Sequence, residues 1–186
     1  LGTAGRSVLF LPLHRQVREA VRDRRPVAAF ADGPAAGAAV EESPSHPGVY
    51  LVRHDASFDR DGVYGPPDGG GYADDLGRAA LFCRAVLEAC RTMGLAVSVF
   101  HCHDWHTALL PLYLKLSYAD TLPAGCLFTI HNLAYQGIFP AARFADLGLP
   151  ARFFSMDELE FYGSVNAMKA GIRHADLVST VSPRYA

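Results

Sequence analysis

The sequence predicts an α/β fold built on a parallel sheet, and three observations carry that prediction. Short apolar runs rich in β-branched residues recur at 7–11, 49–52, 96–100, 126–130 and 177–181. They are nearly continuous rather than alternating, the pattern of strands buried on both faces of a parallel sheet. Helical periodicity fills the intervals between them. Two histidine-bearing segments, HCHDWH (101–106) and HNLAYQG (131–137), directly follow two of these runs. In parallel sheets ligands bind beyond the carboxyl ends of the strands, so the two segments are expected to face one site.

The run at 7–11 reads as a strand. It lacks the small-residue cleavage site that would make it a signal core, and the chain opens on Leu1 rather than Met, a hint of a fragment. Arg15, Arg18, Arg22, Arg24 and Arg25 follow, interrupted by Glu19 and Asp23, and read as a solvated helix face. Residues 32–48 are small, polar and rich in Pro and Gly, and are expected to form a mobile loop. Residues 59–75 form a second long connection; their GGG lacks the spacing and Lys-Ser/Thr ending of a phosphate-binding loop. Over 74–91 the positions Leu76, Ala79, Ala80, Cys83, Val86, Leu87 and Cys90 repeat at three and four, and Gly94 marks the stop. A helix is expected over 107–118, starting close to Thr107 because Pro111 must fall near its first turn. A last helix is expected over 164–174, with Val165, Met168 and Ile172 as its buried stripe.

With 186 residues the chain is long enough for a full core and is read as one domain, 1–186. Half the residues are hydrophobic and 19% are charged, a soluble globular composition. The formal net charge of −2 argues against a general nucleic-acid partner. No apolar run approaches the ~18 residues of a membrane span. The four cysteines form no C-x-x-C pair. Cys83 and Cys90 on one helix would sit roughly 10 Å apart, too far for a disulfide. Free buried thiols in a reducing cytoplasm are the economical reading.

His101, His103 and His106 come close to the H-x-H-x-D-H string of zinc hydrolases. Here the aspartate, Asp104, stands one place early, and Trp105 fills the position a ligand would need. His131 and His174 stand isolated as further ligands, so no metal is assigned. A structural reading gives Asp104 backbone N–H bonds near the start of the following helix. It leaves Trp105 in the core and His101 at the strand end with its ring packed inward.

HCHDWHTALLPLYLK, FTIHNLAYQGIFP and ELEFYGSVNAMKAGIRHADLVSTVSPRYA stand in the order and spacing of bacterial glycogen synthases and plant starch synthases. GVYGPPDGGGYADDLGRAALFCRAVLE resembles the segment that those enzymes place before HDWH. The resemblance runs from about Gly48 to Ala186 and extends to SVLFLPLHRQVRE (7–19). It implies a Rossmann-like parallel sheet with helices on both faces, the partial N-terminal half of a GT-B retaining glucosyltransferase. It further implies glucose transfer from ADP-glucose, or UDP-glucose in some members, to the non-reducing end of an α-1,4-glucan, without a metal or cofactor. By this resemblance His131 and Asp104 are the catalytic candidates. His131 contacts the donor glucose, and Asp104 orients a sugar hydroxyl or a neighbouring donor. Asn132 and Gln136 are expected on sugar hydroxyls, with Gly137 allowing close backbone approach. Tyr72, Trp105 and His103 are further substrate-binding candidates, the two larger aromatics toward the glucan acceptor. Glu160, Phe161, Tyr162 and Gly163 match EFYG and read mainly as scaffold.

The sequence also departs from that family. No K-x-G-G-L loop occurs in it, and LGTAGRS does not replace one. The family's C-terminal nucleotide-binding domain is absent from these residues. YADDLGRAA (72–80) carries Asp75 and Ala80 where the family's helix entry has asparagine and phenylalanine. The isolated chain is therefore expected to be inactive, with the missing domain of the same polypeptide as its partner. The expected location is the bacterial cytoplasm, or the plastid for a plant protein. The alternatives are a carbohydrate-binding or regulatory module that lost catalysis and, as an outsider, a metal-dependent hydrolase.

Overall fold

The computed structural model describes residues 5–182. They fall into two compact units, one ending at Tyr72 and the other beginning at Ala73. In the first unit, β1 (Leu9–Pro12) leads into α1 (Arg15–Ala20). β2 (Arg25–Ala29), β3 (Ala39–Glu42), β4 (Val49–Arg53) and the single turn α2 (Asp55–Phe58) follow. The sheet order is β1-β4-β3-β2, with β1 and β4 parallel and the other two pairs antiparallel.

The reading of 32–48 as a loop is corrected here. Ala39, Val40, Glu41 and Glu42 pair with both neighbours, and Val40 is fully buried. Alanines and paired glutamates hide this strand from a composition-based reading. The basic cluster is corrected too. Arg15 and Arg18 on α1 pair with Asp59, Asp61 and Asp55, while Arg24 and Arg25 lie beyond the helix and pair with Glu41 and Glu42.

The second unit opens with α3 (Asp75–Thr92), which buries every apolar position that the periodicity marks. Asp75 and Arg78 form a buried ion pair in its first turn, so the unusual Asp75 of the helix entry is satisfied by its neighbour one turn on. β5 (Val99–His103) runs into α4 (Asp104–Thr107) and α5 (Leu110–Tyr113), which continues as a π turn over Leu114–Tyr118. The helical segment thus begins three residues before the expected Thr107. It breaks ahead of Pro111, which has no N–H to continue α4 and starts a new helix instead.

β6 (Gly125–Ile130), β7 (Ile138–Pro140), β8 (Glu160–Phe161), β9 (Ser164–Asn166), α6 (Ala167–His174) and β10 (Leu177–Thr180) complete the unit. Parallel strands β10-β6-β5 form its central sheet, and β7-β9-β8 form a small antiparallel sheet. The expected helix over 164–174 is shortened by β9. Asn166 caps α6, its side-chain oxygen accepting from the Lys169 N–H at 3.1 Å. Ile172 is 48% exposed and leaves the buried stripe, which consists of Ala167, Met168, Ala170 and Gly171.

α4 packs on β5 and β6 and is flanked by α3 and α6. The covered face of the sheet carries Phe100, Cys102, Cys126 and Phe128, all buried. Gly171 of α6 lies against Phe128 so closely that an added Cβ would come within 2.7 Å of the ring. The four cysteines are buried free thiols, and burial pushes Cys83 and Cys90 up to about 12. No described helix is long and apolar enough to cross a membrane. Gly171→Ala is expected to destabilise the chain by about 1–3 kcal/mol through overpacking, read by urea denaturation, and Phe128→Leu in the same background should recover part of the loss.

Candidate functional site

β5 alternates strictly, with Phe100 and Cys102 turned into the core and Val99, His101 and His103 on the exposed side. The inward ring expected for His101 is therefore corrected. The strand reaches three residues further than its apolar run, which places His101 and His103 two apart on one face. His101 Nε2 lies 2.7 Å from Thr129 Oγ1 on β6, which in turn lies 2.7 Å from Ser179 Oγ on β10. One polar ladder thus crosses all three parallel strands.

At the end of β5 the chain reverses at Asp104, whose φ is +54°. Few side chains adopt this left-handed conformation without cost, and a short polar aspartate is one that does. Thr107 secures the turn, accepting from the His103 N–H at 2.6 Å and donating to the His103 carbonyl at 2.8 Å. The turn brings the Asp104 carboxylate to the neighbouring strand end. There Oδ1 accepts from the His131 N–H at 2.8 Å and the Asn132 N–H at 3.2 Å. The backbone N–H bonds expected of Asp104 exist, but they come from the next loop rather than from its own helix.

The loop after β6 is tied at both ends. Asn132 Oδ1 accepts from the Ala134 N–H at 3.0 Å, closing a short turn and leaving the Asn132 amide nitrogen as its outward donor. Gln136 Oε1 accepts from Asn166 Nδ2 at 2.8 Å. The Gln136 and Gly137 carbonyls accept from Met168 N and Ala167 N, the first residues of α6. Gly137, at φ +64°, lies against the Trp105 indole, and a Cβ there would fall 2.6 Å from the ring. Trp105 also stacks on His106, with centroids 3.9 Å apart, and meets Phe139 at 5.4 Å. A cleft of about 320 Å³, lined mostly by apolar groups of Leu133, Phe161, Met168 and Ile172 with Gln136 and Lys169, opens beside this loop.

His103 Nδ1 lies 3.0 Å from His131 Nε2, with ring centroids 5.2 Å apart. The His101 ring sits 4.1 Å from that of His103. Desolvation lowers the His103 pKa from its usual value, and positive charge on His101 or His131 lowers it further; Asp104 opposes both. The cluster thus favours neutral His103. Among the described residues, no group of three or more His, Cys, Asp or Glu side chains is arranged to hold a metal ion.

The family model for the starch synthase catalytic domain matches residues 4–186. The chain belongs to that family. Relatives include glycogen synthase 2 of Geobacter sulfurreducens, 49% identical over 140 residues, covering 74% of this chain and 29% of that protein. The glycogen synthase of Moorella thermoacetica is 39% identical over 183 residues, covering 95% of this chain and 36% of that protein. The chain therefore spans about a third of the length of these relatives. Among solved structures, the catalytic domain of starch synthase IV from Arabidopsis thaliana, bound to ADP and acarbose, superposes with a TM-score of 0.73. It is 27% identical, and the match covers 96% of this chain and 38% of that one. The α/β, GT-B-type fold expected from the resemblance is thereby shown.

For this starch synthase-type chain, the second unit gathers His103, Asp104, Trp105, His131, Asn132, Gln136 and Gly137 around two adjacent strand ends. Tyr72 belongs to the first unit, where its hydroxyl accepts from the Gly62 N–H at 3.3 Å and Arg60 lies 4.7 Å over its ring. Sequence reasoning missed Thr107 and Asn166. Both were within quoted motifs; Thr107 stands four residues after His103, and Asn166 immediately precedes a helix, the position of a cap. Lys169 of the MKAG motif donates to the Met156 and Glu160 carbonyls, and His174 pairs with Glu158 at 2.7 Å, fastening 156–160 to α6.

Asp104→Ala removes the one oxygen that accepts both N–H groups of the 131–132 turn. Stability should fall by about 1–3 kcal/mol in chemical denaturation, and the amides of His131 and Asn132 should lose hydrogen-exchange protection while those of β6 keep theirs. Trp105 is the one tryptophan of the chain and reports on Gly137 directly. Gly137→Ala should displace the indole, changing its emission maximum and raising its accessibility to acrylamide.

Proposed function

We propose that this chain is the partial N-terminal domain of a glucosyltransferase that moves glucose from ADP-glucose, or UDP-glucose, to the non-reducing end of an α-1,4-glucan with retention. The observation that carries the reading is the pair of strand-end loops locked together by Asp104. Two independent backbone turns are fixed there into one polar surface, which presents the His131 ring and the Asn132 amide. The bound ADP and acarbose named for the Arabidopsis relative support a nucleotide-sugar donor and an oligosaccharide partner.

In the transfer the bond between the sugar C1 and the diphosphate oxygen breaks. A new bond forms from C1 to an acceptor hydroxyl on the same face, and the acceptor proton leaves with the diphosphate. Positioning and charge stabilisation dominate such a step. His131 and the Asn132 amide nitrogen hold hydroxyls of the donor glucose. Asp104 acts by fixing the N–H groups of that turn; this is its contribution to orientation. Gln136 is anchored to Asn166 through Oε1 and shapes the loop from behind, which leaves its NH2 group to donate to a sugar hydroxyl. Gly137 brings the backbone and Trp105 together, and Trp105 serves the glucan acceptor.

Neutralising the departing diphosphate requires cationic groups. The chain has no K-x-G-G-L loop, and a second nucleotide-binding domain of the same polypeptide supplies the remainder of the site. The reaction needs no cofactor; the nucleotide sugar is the substrate. Incubation with radiolabelled ADP-glucose and glycogen should give negligible incorporation for the 186 residues alone. In a polypeptide carrying the second domain, His131→Ala should lower kcat by about 100-fold or more. Turnover by the isolated chain near that of the longer protein would overturn the division of the site. No incorporation by the longer protein would favour a carbohydrate-binding module instead.

A further inference from the structure

Asp104 fixes the backbone of His131 but does not orient its ring. The described residue that bonds the ring is His103, through the 3.0 Å contact between His103 Nδ1 and His131 Nε2. We propose that His103 is the positioning residue of His131: the two rings share one proton across this contact, which fixes the tautomer and orientation of the His131 imidazole. The inference rests on the reading of His131 as a sugar-contacting residue.

A contact between two imidazole nitrogens needs a proton on one and a lone pair on the other. Two protonated rings would aim N–H at N–H, so the geometry admits the neutral pair and the singly protonated pair and excludes the dication. Packing does not explain the arrangement, because both rings belong to exposed residues and bury little apolar surface. The hydrogen bond is the specific interaction between them. It commits Nε2 of His131 to His103 and leaves Nδ1 as the nitrogen that meets an external partner; among the described residues, Nδ1 makes no hydrogen bond.

The groups facing the pair act in a consistent direction. The His101 ring, from the same strand, lies 4.1 Å from that of His103, tilted by 39°, and discourages further positive charge. From β6 and β10 come only the hydroxyls of Thr129 and Ser179, which engage His101 rather than the pair. Asp104, at the start of α4, is the one carboxylate nearby, and its Oδ1 is occupied by the two N–H groups of the 131–132 turn. A second proton therefore enters the pair only at a pH below the ordinary histidine range. When it enters, the bond is lost and the His131 ring is released. The contact is present at neutral pH and disappears on acidification.

Long-range ¹H–¹⁵N NMR of the chain labelled in histidine, followed from pH 8 to pH 5, tests this. In the wild type one neutral tautomer of His131 should predominate. The pair should take up its second proton below the ordinary histidine value near 6.5. His103→Ala should return His131 to a mixed tautomer population. His103→Asn, whose side-chain amide lies where Nδ1 was, should restore the single tautomer. Independent titration of both rings near the ordinary value in the wild type would overturn the proposal without recourse to any variant. So would an unchanged tautomer ratio in a His103→Ala protein whose amide spectrum shows it folded. Adding ADP-glucose to a histidine-labelled polypeptide that carries the second domain separates the two readings. If the His131 ring resonances do not move there while the tautomer result holds, the sugar contact fails and the pairing stands.

Discussion

The carboxylate of Asp104 is the constraint on which the candidate site depends. Two parallel strands end side by side, but nothing in strand pairing alone ties the loops that follow them. Asp104 does so through one oxygen and two backbone N–H groups. To deliver that oxygen the residue adopts a left-handed backbone, a conformation of some intrinsic cost. Charge-assisted hydrogen bonds of about 1.5–3 kcal/mol exceed the roughly 1–2 kcal/mol of that strain. The turn persists because the bonds it permits outweigh it. Alanine would meet the same strain with no compensating bond. Asparagine would keep the shape but lose the charge.

Around this link the remaining contacts divide into layers. Thr107 locks the turn from below, and Gly137 lets the neighbouring loop close against Trp105. Asn166 joins that loop to α6, since one side chain both caps the helix and bonds Gln136. The site is thus held by helix α6 behind the loop as well as by the strands beneath it. α6 is itself seated on β6 through Gly171 and Phe128. A packing change at Gly171, far along the helix from its cap, therefore has a physical route to the loop that carries His131.

Much of this was legible in the sequence, and the parts that were not have physical reasons. The α3 helix was readable because its apolar period is unbroken and every marked residue is buried. Strand β5 was misplaced by three residues because histidines and a cysteine do not look like a strand, although they alternate inward and outward as one must. β3 was missed because alanine and glutamate hide a strand whose charges are paired with arginines from elsewhere. Asp104 and His131 were recognisable as candidate site residues from their place after strand runs and from motif resemblance. Their connection through backbone N–H groups was not, since a 27-residue separation carries no local signal. The role of Ile172 was misread because a helical period assigns a buried stripe only once the helix start is known, and β9 shifts that start.

The histidine count that first attracts attention in HCHDWH has a different meaning once the geometry is in place. The three rings nearest the site are His101, His103 and His131, and they do not converge on a point where a cation would sit. They form two separate hydrogen-bonded sets. His101 joins hydroxyls across the sheet, while His103 joins His131 across the strand ends. In the first set the imidazole serves the strands, and in the second it serves the loop. A metal would require these nitrogens as free lone pairs aimed at one centre. His101 Nε2, His103 Nδ1 and His131 Nε2 are instead each used by a neighbour at hydrogen-bonding distance. That commitment leaves the cluster poor as a ligand set and well suited to holding one ring in place.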